Sequence, residues 1–173
     1  MNTNFEEWSG ETIRKLEDPG LLLVSTNEQG KSNVMTIGWG LIGVFWGKPV
    51  FMISVRPSCY THEFIEDSGE FTVNVPEEGM KDVVQYCGEV SGREHNKISE
   101  CKLNMLKSRV VRPPIIGQCK LHYECRVVHK IDIIPRLAPV KFFIRVIIAK
   151  IKGVLYVRDN YRSLYFGEIL AIY

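Results

Sequence analysis

Residues 21–45, LLLVSTNEQGKSNVMTIGWGLIGVF, followed almost at once by residues 48–55, KPVFMISV, decide the fold class. The apolar run of residues 21–24 is interrupted by Asn27-Glu28-Gln29-Gly30 and resumes at Val34. Two runs split by a short glycine-containing turn form a hairpin. Residues 48–55 make a third strand, rich in the β-branched and aromatic side chains that fit a pleated, half-buried surface. Strands that follow one another, instead of alternating with helices, favour an antiparallel barrel over a doubly wound sheet.

The segments on either side agree. Residues 1–19 read as a helical lead-in closed by Asp18-Pro19-Gly20. Arg56-Pro57-Ser58 breaks the third strand, and YTHEFIEDSG is a short helix with Gly69 as its stop. FTVNV, residues 71–75, is a fourth strand ended by Pro76. MKDVVQYCGEV, residues 80–90, has helical apolar spacing at Met80, Val83, Val84 and Cys87. Pro113-Pro114 marks a loop. Residues 119–134 alternate Leu121, Tyr123, Cys125 and Val127 with polar neighbours, as in a long strand with one wet face. VKFFIRVIIAKIK, between Pro139 and Gly153, reads as a helix with Lys141, Arg145 and Lys152 on one side, although its β-branched content also suits a strand. RSLYFGEILAIY closes the chain as a strand containing Gly167. Six or so strands and two or three short helices result, with no linker or internal repeat to divide residues 1–173 into more than one domain.

The 173 residues are 45% hydrophobic and 24% charged, with a net charge of +2. That is enough apolar material for a core, and too small a basic excess for a protein devoted to nucleic acid. The five cysteines include no C-x-x-C pair, and Cys119 and Cys125 match no common zinc spacing. Reduced thiols in the cytoplasm are the simplest reading. The polar N-terminal stretch has no apolar core of a secretory signal, and no apolar run is long enough for a transmembrane helix.

Three segments carry the candidate chemistry. Arg56, Ser58, Tyr60 and Thr61 stand at the start of a short helix, where unpaired N–H groups and the dipole favour an anion. Read alone, Ser58 or Thr61 simply caps that helix and Arg56 is a solvated charge. Ser91, Gly92, Arg93 and Lys97 combine a hydroxyl, a close-approach glycine and two cations after a helix end, which is also the make-up of an ordinary capped loop. The third, NVMTIGWG, has Thr36, Gly38 and Gly40 as small or polar groups. Glycines in a strand mark a bulge or the close approach of a flat ligand; Met35 and Trp39 equally suit core packing. No G-x-G-x-x-G follows a strand, so a Rossmann dinucleotide site is unsupported. The four histidines lack helical zinc spacing, no metal site is expected, and His122 with Glu124 reads as a surface pair.

Taken together, NVMTIGWG, SVRPSCYTHEFIEDSGEFTVNVP, CGEVSGREHNK and YFGEI resemble the flavin reductase-like family, near the subgroup that includes flavoredoxin. The resemblance implies an antiparallel split β-barrel, mainly β with short helices, that binds flavin mononucleotide (FMN). It places the strand of Asn33, Val34, Met35 and Thr36 along the isoalloxazine ring, offering backbone N–H groups to the ring edge. Ser54, Arg56, Ser58 and Thr61 would border the ribityl chain and phosphate, and Ser91, Gly92 and Lys97 would close over the phosphate. It further implies a homodimer with the flavin near the subunit interface. The chain departs from the family at Glu94 and Asn96, where Asp is frequent, at Ile98, where Phe is frequent, and over residues 136–158, which look like an insertion or a replaced crossover.

No side-chain nucleophile is needed in such a site, because N5 of the flavin carries the hydride. The expected function is an FMN-dependent oxidoreductase of flavin reductase type, using NAD(P)H or a protein donor. The alternatives are a flavoprotein electron carrier with no substrate pocket of its own, and a flavin-free β-barrel binding module using the basic face of residues 141–152.

Overall fold

The computed structural model describes residues 5–133 and 162–173. The expected helix in residues 140–152 and the atypical segment 136–158 therefore lie outside the described residues. In chain order the elements are α1 (Phe5–Glu17), β1 (Leu21–Thr26), β2 (Ser32–Ile37), β3 (Gly40–Phe45), β4 (Lys48–Val55), α2 (Tyr60–Ser68), β5 (Glu70–Pro76), α3 (Lys81–Glu89), α4 (Lys97–Glu100), β6 (Met105–Leu106), β7 (Ile115–Ile116), β8 (Cys119–Ile133) and β9 (Arg162–Ile172).

Seven strands form one sheet in the order β2-β1-β5-β8-β9-β4-β3, with every neighbouring pair antiparallel. Its two edges, β2 and β3, are consecutive in the chain with only Gly38 and Trp39 between them. Such a link reaches about 11 Å, whereas the edges of a flat seven-stranded sheet stand about 29 Å apart. The sheet must curl until its edges meet, and because β2 and β3 do not pair, the result is a split barrel. The run after the first turn is therefore two strands, not one. Gly38 lies in the crossover, and the close approach at Gly40 is to β4: a Cβ there would stand 2.7 Å from the Met52 carbonyl oxygen. Trp39 is not in the core but 62% exposed.

Alternation along β1 divides the apolar residues between two cores, which is why all six of its residues are buried. Leu21 and Leu23 face the barrel interior with Phe51, Ile53, Phe71, Val73, Tyr123 and Tyr165. Leu22 and Val24 face outward, under α3, with Val34, Val84, Cys87 and Ile116. Helix α1 adds Leu16 to the interior core, and its Thr12 hydroxyl meets the Tyr123 hydroxyl at 2.7 Å. Among the described residues no helix is long and apolar enough to cross a membrane.

Helix α2 stops where expected. Gly69 adopts φ 64°, and its N–H donates to the Ile65 carbonyl, a left-handed cap that glycine adopts without strain. Its N-terminus differs from expectation: Cys59 is the N-cap, and no side chain caps the helix. Strand β8 also departs from a simple wet-faced strand. Its outer side at His122 and Glu124 is buried, because the loop carrying Pro113-Pro114 folds over it. The Glu124 carboxylate accepts the backbone N–H groups of Arg109, Val110 and Val111 at 2.7, 2.7 and 3.1 Å, and the Tyr173 hydroxyl at 2.6 Å. His122 Nδ1 meets Asn74 Oδ1 at 3.0 Å. The pair is an internal brace and not a surface pair.

Candidate functional site

Two helix ends and a loop converge beside the edge strand β2: the uncapped N-terminus of α2, the C-terminus of α3, and the loop 91–96 leading into α4. Between them lie two adjoining depressions of 240 and 180 Å³ that share Asn33, Gly92 and Lys97. Together they reach the lower end of the small-ligand range, about 300 Å³.

Asn33 is the hinge of this wall. It is 7% exposed, and its Nδ2 donates to Thr61 Oγ1 at 2.8 Å, tying β2 to the first turn of α2. Its Oδ1 lies against Gly92. A Cβ on Gly92 would overlap that oxygen and stand 2.8 Å from Asn33 Cγ. The glycine thus allows the loop to close on the strand.

The electrostatics are lopsided. Lys97 is 4% exposed, and its Nζ donates to the Cys87 and Val90 carbonyls at 2.9 and 3.2 Å. These are carbonyls at the end of α3, where a cation is favoured. Among the described residues Lys97 forms no ion pair with a carboxylate. Burial pulls its ammonium below the ordinary lysine value, the mark of a charge lacking full compensation. Burial also pushes the Cys87 thiol up to about 12, so it stays protonated beside Lys97.

Two more cations flank the mouth. Lys31 Nζ is 3.3 Å from the Tyr60 hydroxyl and lies over its ring at 5.2 Å. The Arg93 guanidinium lies over the same ring at 5.0 Å and donates to the Ser58 carbonyl at 2.9 Å and to Glu63 at 2.5 Å. Arg93 thereby pins the loop to α2.

Of the residues expected at a cofactor, Asn33, Met35, Ser58, Thr61, Ser91, Gly92 and Lys97 line this space. The side chains of the others do not line it. Val34 points the opposite way, into the core under α3. Thr36 shares that face, with its hydroxyl bonded to the Val84 carbonyl. Ser54 is buried within β4, opposite Leu164. Arg56 is exposed and is not among the residues lining the two depressions. Period-two alternation separates Asn33 and Met35 from Val34 and Thr36, a division that follows from strand geometry. Thr61 does not cap α2; its hydroxyl serves Asn33 instead. Lys31 carried no sequence signal, because only the hairpin register brings the turn before β2 next to Tyr60.

A fit with FMN can be tested on these features. Its phosphate would need cations, N–H donors and a close backbone approach; Lys97, the open end of α2 and Gly92 supply one of each. The ring would need an unencumbered strand edge, and β2 is the edge of the sheet. The residues present fit the group.

Comparison with known proteins bears on the family and the fold. The flavin reductase like domain matches residues 18–167. A protein of uncharacterised function from Archaeoglobus fulgidus is 37% identical over 112 residues, covering 64% of this chain and 61% of its own length. The chain spans between 42% and 61% of the length of three curated relatives it matches. The solved flavoredoxin of Methanosarcina acetivorans is 29% identical, with a TM-score of 0.64 over 89% of this chain and 67% of its own. The flavoredoxin of Desulfovibrio vulgaris (Miyazaki F), at 20% identity, shares the fold with a TM-score of 0.68, over 90% of this chain and 68% of its own.

Proposed function

This chain belongs to the flavin reductase-like family, and from that premise we propose that it is an FMN-binding oxidoreductase, taking electrons from NAD(P)H and passing them to an acceptor. The observation that carries the reading is Lys97: a buried ammonium that, among the described residues, is held by two helix-end carbonyls, on the wall of a cavity that also receives the open N-terminus of α2. Bound FMN supplies a ring that accepts and returns a hydride. The chain's own residues bind and orient. Lys97 compensates the phosphate charge, while the first N–H groups of α2 and the Ser58, Thr61 and Ser91 hydroxyls are donors to its oxygens. Gly92 lets the loop backbone approach, and Asn33 holds strand and helix in register. The backbone edge of β2 and the Met35 side chain offer a flat, partly apolar bed for the ring.

We assign a second copy of the chain to the exposed apolar face around β3, where Leu41, Val44 and Trp46 are each more than 60% exposed. Isolated monomers seldom leave such a contiguous patch open. The free thiols of all five cysteines suit the cytoplasm.

The test is spectroscopic. Purified protein mixed with FMN should hold the flavin through gel filtration and show a shifted flavin absorption. Added NADH or NADPH should then bleach it without air. A protein that takes up no FMN ends the reading. The 29% identity to a flavoredoxin keeps a second reading in view, an electron carrier; bound FMN reduced by a ferredoxin-type donor, and by neither nicotinamide, would establish that instead.

A further inference from the structure

His95 is held from two sides at the larger depression, which it lines together with Lys31, Gly92, Arg93 and Lys97. Its Nδ1 lies 3.3 Å from the Tyr86 hydroxyl of α3 and 3.4 Å from Glu100 of α4. The Tyr86 and His95 rings meet edge to face, with 6.2 Å between centroids. Tyr86 also donates its hydroxyl proton to the Glu100 carboxylate, and this bond holds Glu100 below the ordinary carboxylate value. The acid therefore stays ionised beside the imidazole.

The direction of these bonds fixes where the ring carries its proton. With the tyrosine proton spent on Glu100, the Tyr86 oxygen accepts from His95. The neutral imidazole therefore holds its proton on Nδ1 and leaves Nε2 as an acceptor. Protonation turns Nε2 into a donor, while Nδ1 keeps its partners. Among the described residues Nε2 has no hydrogen-bond partner; only Nδ1 is engaged. The other charges around the depression are Lys31 from the β1–β2 turn, Arg93 and Glu94 from the loop, and Lys97 from α4. The three cations oppose a further positive charge, whereas Glu94 and Glu100 favour it. An anion among them tips that balance toward the imidazolium.

We propose that His95 is a proton-gated binding residue for the phosphate end of the flavin nucleotide, with Tyr86 and Glu100 as the residues that position it. The imidazolium donates from Nε2 to a phosphate oxygen. The neutral ring meets the same oxygen with a lone pair and repels it. Affinity for a phosphate-bearing flavin therefore rises as pH falls through the range in which histidine takes up a proton. This rests on the flavin-site reading, and adds a pH-dependent contact to the fixed charge of Lys97.

The experiment is fluorescence titration with FMN, and separately with riboflavin, from about pH 8.5 to about pH 6, which spans the histidine range. Wild type, H95Q, E100Q and Y86F are compared. A phosphate monoester takes up a proton of its own near about pH 6, so affinities are read as the ratio of each protein to H95Q at the same pH, where that contribution cancels. For wild type the FMN ratio should grow about fivefold or more on acidification, the scale of a hydrogen bond to a charged group. The riboflavin ratio should stay flat. E100Q should lose most of the pH dependence, and Y86F less of it, because the carboxylate remains. In proton NMR the ring signal missing from H95Q should titrate at higher pH with FMN bound than with riboflavin bound. An FMN ratio that does not change with pH, an equal change for riboflavin, or an unmoved ring titration overturns the role of His95 and leaves FMN binding standing. Protein that binds FMN at no pH overturns both.

Discussion

Gly92 rests directly on the Asn33 amide: a Cβ at residue 92 would overlap Asn33 Oδ1, while the other side of that amide holds Thr61. One methyl group would therefore push on three segments at once. Gly92→Ala should cost about 1–3 kcal/mol of stability, as overpacking does, and weaken FMN binding in fluorescence titrations. Asn33→Ala combined with Gly92→Ala should recover part of the stability, because the overlap is gone, but not the flavin affinity.

Removing the Lys97 charge should be felt mainly in binding. Lys97→Met should cost about 2–5 kcal/mol of FMN affinity, the usual loss when one member of a buried charge pair is removed. A flavin lacking the phosphate, riboflavin, should bind wild type and variant alike. Equal losses for FMN and riboflavin would place the phosphate elsewhere.

The same lysine gives a pH signature in the flavin-free protein. Burial lowers its folded pKa below the value of 10.5 in an unfolded chain. Between those two values the unfolded state binds more protons, so the Lys97 contribution raises stability as pH rises. Below the folded value its full unfavourable contribution is present. Denaturant melts should show a rise on approaching pH 10.5 in wild type that is absent from Lys97→Met. A wild-type curve parallel to that of the variant would mean the ammonium is already compensated.

Glu124 braces the 109–111 loop through three backbone N–H groups and one hydroxyl. Glu124→Gln puts an NH₂ group where donors already point, so at least one is left unsatisfied. The expected loss is about 1–3 kcal/mol, seen in thermal or urea unfolding, with FMN affinity unchanged because the brace lies away from the cavity. Tyr173→Phe should cost less, since it removes a single hydrogen bond.

Gly167 in β9 sits against the Phe71 ring, and a Cβ there would also lie 2.9 Å from Cys125 Cβ. Gly167→Ala should destabilise by about 1–3 kcal/mol. Adding Phe71→Leu should recover part of that loss, a coupling expected between residues in contact; simple additivity in the double-mutant cycle would show that the glycine serves another need.

Much of this was legible without coordinates. Strand succession and turn chemistry are local, so the β1–β2 hairpin, α2 with its Gly69 stop, α3 and the final strand could be read directly. The charged and hydroxyl residues around Ser58 and Lys97 could be singled out as well. What stayed hidden depends on which way a side chain faces and what crosses over it. The side chains of Val34 and Thr36 face the core under α3, away from the cavity. Glu124 looks exposed until a distant loop covers it. Lys31 meets Tyr60 only because β2 and α2, apart in the chain, pack side by side. Sequence by itself determined the elements and the inventory of charges, because both follow from neighbours within a few residues. Only the tertiary structure decided which charges are buried and which are paired, because desolvation and Coulomb energy depend on distance through space and on excluded water.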